Sequence, residues 1–129
     1  MVEVSDEEFQ QLIDQALATL PKEHTDRIEN VAILYEHVPT PEQRQKLALR
    51  HDQTLFGLYE GVPLTQRQGV TKLYPDKITL FTYPLCASVN TLDELKEQIR
   101  HTLWHEIAHY YGLNHPQIRE LENPDGPWA

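Results

Sequence analysis

The chain has 129 residues, 40% of them hydrophobic and 24% charged, a composition that excludes a fibrous or disordered chain and predicts one domain over residues 1–129. Lys+Arg 11 against Asp+Glu 20 leaves a formal net charge of −9, which repels phosphate backbones and anionic lipid surfaces. No nucleic-acid or membrane partner is expected, and no apolar run approaches the length of roughly 18 residues that a spanning helix needs.

In chain order, the start Met1-Val2-Glu3-Val4-Ser5-Asp6-Glu7-Glu8 is acidic where a signal peptide is basic and then apolar, so a cytoplasmic protein is expected. Ser5 to Leu20 reads as an amphipathic helix. Ser5 and Glu8 form a capping box, and Phe9, Leu12, Ile13, Ala16, Leu17 and Leu20 recur on one face. Pro21 stops it, and Lys22 to Glu29 reads as a short helical turn or loop. Val31 to Val38 is a β-branched, aromatic run closed by Pro39, the signature of a strand. Thr40 with Pro41 at the first helical position opens a short helix to about Arg50.

Leu55 to Val62 reads as a second strand, with glycines that weaken it or mark a bulge. Pro63 to Asp76 has no clean period and reads as a loop, and Lys77 to Tyr83 as a third strand. Thr91 and Glu94 form a second capping box, opening a long helix that ends at Tyr111 before Gly112. Its expected buried stripe is Leu92, Leu95, Ile99, Leu103 and Ile107. Pro116 opens a last helix, Gln117 to Glu122, ahead of an irregular tail. Early strands and a late long helix indicate an α+β fold with helices packed on one face of a small sheet.

Four of the 7 histidines fall between His101 and His115, and His105 to His115 reads H-E-x-x-H-x-x-G-x-x-H. His105 and His109 stand one turn apart on a helix, so two imidazoles can meet one metal. Glu106 sits about 100° round the helix, beside that metal, where it can take a proton from the attacking water. Gly112 can adopt positive φ, and a sharp turn there returns His115 as a third ligand. Three histidines with one open position is the arrangement of a catalytic zinc site, although imidazole also suits nickel, copper and iron.

These residues resemble the zinc motif of the zincin metallopeptidases, in its metzincin form. The segments Val31 to Val38, Leu55 to Leu64, Asp76 to Leu85 and Ile99 to His115 are similar to the small bacterial minimal zincin metallopeptidases. That resemblance implies an α+β minimal zincin-like fold, a small mixed sheet packed against an N-terminal helix and the active-site helix. It implies Zn2+ on His105, His109 and His115, Glu106 as general base, and a peptide or protein substrate. The only methionine is Met1, so the methionine turn of metzincins is missing from the sequence. With His115 at position 115 of 129, a reduced lower subdomain is expected.

Other residues carry weaker readings. Glu120 or Glu122 could supply a carboxylate ligand in place of a histidine, and one of them or Asp125 could orient a ligand histidine. Tyr110 and Tyr111 suit either core packing or oxyanion stabilisation. Cys86 is read as a small buried apolar group rather than a thiol that caps the metal. Trp104 is expected beside the active-site helix, His101 on the surface or near the site, and His24, His37 and His51 carry no functional reading. The strands Leu55 to Val62 and Lys77 to Tyr83 are both candidates for an edge that pairs with extended peptide. Two other functions compete with peptide hydrolysis. One is a metal-dependent endoribonuclease of the rRNA-maturation type, which shares the histidine spacing but typically has glycine at the position of Glu106. The other is a non-catalytic metal-binding module.

Overall fold

A computed structural model describes residues 1–26, 28, 30–62 and 75–112. Helix α1, Asp6–Thr19, starts at the expected capping box: Ser5 Oγ accepts from the Glu8 amide at 3.1 Å, and Glu8 Oε1 accepts from the Ser5 amide at 3.2 Å. Asp6, Glu7 and Glu8 fill its first turn, where the helix dipole favours negative charge. Pro21 leads into one short turn, α2, Lys22–Thr25.

Strand β1, Val31–Glu36, is followed by α3, Pro41–Lys46, and then by β2, Gly57–Glu60. Strand β3 spans Asp76–Phe81 and runs directly into α4, Thr82–Ala87, before α5, Leu92–Tyr110. The three strands form a mixed sheet of order β1-β3-β2, with β3 parallel to β1 and antiparallel to β2. Together with the helices this is the expected α+β architecture, a small mixed sheet packed against an N-terminal helix and the long helix α5. Among the described residues, no helix is long and apolar enough to cross a membrane.

Alternation along β3 divides the core. Ile78 and Leu80 join Phe9, Leu12, Ile13 and Ala16 of α1 and Leu95, Ile99, Leu103 and Ile107 of α5 in the main cluster. Phe81 belongs instead to a smaller cluster with Leu55 and Leu58, against which Leu47 and Leu49 pack. The main face is therefore closed by α1 and α5, and the segment after α3 covers part of the other face.

Several expected boundaries shift for local reasons. The helix read to Arg50 stops at Lys46, because Ala48 takes φ 53°, in the left-handed region that no helix interior allows. Strand β1 ends at Glu36 rather than Val38, and β2 keeps only Gly57–Glu60 of Leu55 to Val62. The third strand begins at Asp76 and ends at Phe81, with Thr82 and Tyr83 in α4, an element the sequence reading missed. Pro84, just past the expected third strand, sits in the first turn of α4, where the amide it lacks would have no partner within the helix.

At the start of α5 the capping box is half made. Thr91 Oγ1 accepts from the Glu94 amide at 3.1 Å and donates to the Glu94 carboxylate at 3.2 Å, in place of a return bond to the Thr91 amide. Leu92 is 45% exposed and leaves the expected stripe, which Tyr110 extends at the other end. As the central strand, β3 has both edges paired, so among the described residues only β2 of the two candidate strands is an edge. The expected helix Gln117 to Glu122 and most of the loop Pro63 to Asp76 lie outside the described residues.

Leu103 is fully buried where α5 meets the sheet and α1. Leu103→Ala is expected to cost about 2–5 kcal/mol of stability, read from the urea unfolding midpoint.

Candidate metal centre

The residues that build the core also hold the site, because both lie on α5. Leu103 and Ile107 point into the main cluster, and His105, Glu106 and His109 occupy the neighbouring positions of the same turns. His105 is 6% exposed and Glu106 is completely buried, while His109 is half-buried. The His105 and His109 rings stand edge to face, with centroids 5.0 Å apart. One nitrogen from each ring and one Glu106 carboxylate oxygen lie within 4.8 Å of one another.

This donor set fits a divalent cation. Imidazole and carboxylate are the nitrogen and oxygen ligands that zinc and related first-row metals take. A carboxylate withdrawn from water needs a compensating positive charge or donor, since burying it alone costs several kcal/mol. Among the described residues, these three form the one cluster of metal-ligand type. Cys86 lies elsewhere, on α4 within the main cluster, where burial raises the pKa of its thiol. It is a core residue, as expected.

Three contacts fix the surroundings. Edge strand β2 approaches α5 at Gly57, whose missing side chain would meet Thr102 and Glu106. Two residues on, the Tyr59 hydroxyl donates to the buried Asp76 carboxylate at 2.5 Å, and the Tyr59 ring meets Tyr110 edge-on, with centroids 6.4 Å apart. On another side of α5, the His24 ring packs on Trp104 at 5.0 Å and on Tyr111 at 6.3 Å. The Tyr111 hydroxyl donates to the His24 carbonyl.

Both tyrosines therefore serve packing and docking. Tyr110 is buried against Tyr59, and the hydroxyl of Tyr111 is committed to the α2 backbone. His101, one turn before His105, is half-buried and outside the ligand cluster. Trp104 lies on the site helix itself, next to His105, and its partner His24 carried no signal in the sequence. Gly57, Thr102 and Asp76 were missed for the same reason: each matters through a neighbour distant in the chain.

After Tyr110 the chain turns at Gly112, which takes the expected positive φ of 90° and whose amide donates to the His109 carbonyl at 2.9 Å. His115, Glu120, Glu122 and Asp125 lie outside the described residues.

The sequence model of the zincin-like metallopeptidases matches residues 28–124. The chain belongs to this zincin-like metallopeptidase family. Membership makes it a relative of metal-dependent peptidases, whose metal is usually zinc and whose substrates are peptides or proteins. No curated protein matches it. The matched region of this zincin-like chain begins after α1 and α2, although both helices pack on α5.

Tyr111→Phe removes the hydroxyl that joins the end of α5 to α2. The expected loss is about 1 kcal/mol in urea unfolding, with a change in tryptophan fluorescence as His24 loosens on Trp104.

Proposed function

We propose that the chain is a zinc-dependent metallopeptidase in which His105, His109 and His115 hold the metal and Glu106 is the general base. The observation that carries this reading is the buried cluster of two imidazole nitrogens and one carboxylate oxygen within 4.8 Å, at the end of α5. Family membership points to peptide hydrolysis over the ribonuclease alternative.

Zinc bound there supplies a Lewis acid that acidifies water and polarises the scissile carbonyl. Glu106 accepts the proton of the attacking water as the new C–O bond forms. It returns that proton to the amine as the C–N bond breaks, so the residue ends as it began. Burial suits Glu106 to the task, because a carboxylate shielded from bulk water exchanges protons with the reactants it faces. His105 and His109 are both held by α5, whose rigidity sets their separation before any ligand arrives. Strand β2, with its first residue against Glu106, is the edge along which an extended peptide would lie.

Glu106→Gln is expected to retain zinc, measured by elemental analysis, and to lose about 10²–10⁴-fold in peptide hydrolysis. A wild-type rate from Glu106→Gln would remove the mechanism. His109→Ala deletes a ligand, and the variant is expected to retain little zinc after dialysis, together with loss of the metal-dependent rise in melting temperature.

A further inference from the structure

Gly57 opens the edge strand, opposite Leu80 of β3, and turns its side-chain direction toward α5. A Cβ there would stand 2.5 Å from Thr102 Cγ2, and 3.4 Å from both Cγ and Oε2 of Glu106. The first distance is a clash and the other two are contact distances. Thr102 and Glu106 are one helical turn apart, so Gly57 meets them as a single surface. Thr102 is fixed in this surface, because its hydroxyl donates to the Gln98 carbonyl at 2.7 Å.

The strand has little freedom to back away. Its register with β3 is set at each of its four residues, Gly57 to Glu60. Tyr59 ties it to Asp76 and rests on Tyr110, farther along the same helix. Backbone at Gly57 thus forms one wall of the space around the Glu106 carboxylate, and a nitrogen of His105 and one of His109 lie within 4.8 Å of a carboxylate oxygen.

We propose that Gly57 is a positioning residue for Glu106. Its bare Cα lets the edge strand close on the carboxylate and sets how far the Glu106 side chain can move from the imidazoles. This rests on the reading of Glu106 as general base. A general base displaced by a fraction of an ångström keeps its chemistry but loses alignment with the water it deprotonates, and misplacement near 1 Å costs on the order of 10²-fold.

Packing and positioning involve different atoms, so they can be separated. Gly57→Ala alone is expected to lower both the melting temperature and kcat. Thr102→Ser deletes the clashing Cγ2 and is expected to leave both near wild type. In the double variant Gly57→Ala/Thr102→Ser, the new methyl group takes the vacated space and still stands at contact distance from Glu106. Its melting temperature is expected to recover, while kcat stays below wild type with KM nearly unchanged, because a methyl group in contact with the Glu106 carboxylate narrows the range over which it can move.

A second readout needs no turnover. With cobalt in place of zinc, the visible absorption reports the surroundings of the metal. Glu106→Gln is expected to alter the spectrum, the double variant to alter it as well, and Thr102→Ser to leave it unchanged. A double variant with wild-type kcat and a wild-type cobalt spectrum would reduce Gly57 to a packing residue and overturn the proposal. If the wild-type protein binds metal but cleaves no peptide, the peptidase reading fails on its own. The cobalt comparison then still decides the role of Gly57: an altered spectrum in the double variant supports it, and an unchanged one overturns it.

Discussion

Everything in this molecule depends on the seating of α5 against the sheet and α1. Leu95, Ile99, Leu103 and Ile107 supply the apolar contact that holds the helix. Burial of four such side chains contributes several kcal/mol, which is large against the roughly 5–15 kcal/mol by which folded proteins are stable. The same contact withdraws His105 and Glu106 from solvent. The site is therefore a consequence of how the core packs, and the polar residues that would serve a metal are buried only because apolar residues on adjoining positions are.

That arrangement has an electrostatic cost. A carboxylate taken wholly out of water is costly unless it is compensated, and Glu106 lies with His105 and His109 in a donor set that could hold a cation. Asp76 is the other fully buried acid among the described residues apart from Glu106, and it meets the same demand differently. It accepts from the Tyr59 hydroxyl and, more weakly, from the Val62 amide at 3.4 Å. One carboxylate is satisfied by donors of the fold and stabilises the end of β2. The other faces groups able to bind a metal.

The α+β class, the site helix and the cap at Ser5 were legible because each follows from a short-range rule. A 3.6-residue period, a capping residue and a glycine past a helix end act within one or two turns. The pairing of His105 with His109 is local in the same sense. Less was legible where two local signals competed. Thr82 and Tyr83 have strand-forming side chains but fall in the first turn of α4, and Ala48 gives no sign in sequence that it adopts φ 53°. Leu92 has the spacing of a core residue yet sits at the open start of α5.

The sequence by itself determined one acidic, cysteine-poor chain with a histidine motif on a capped amphipathic helix, and so the type of chemistry to seek. Only the tertiary structure decided that β3 lies between β1 and β2, that His24 packs on Trp104, and that Gly57 abuts Thr102 and Glu106. Helical periodicity is written in neighbouring residues, because it arises from one backbone geometry repeated. Strand order and the approach of a strand to a helix arise from contacts between distant segments, and nothing in either segment alone encodes the distance between them.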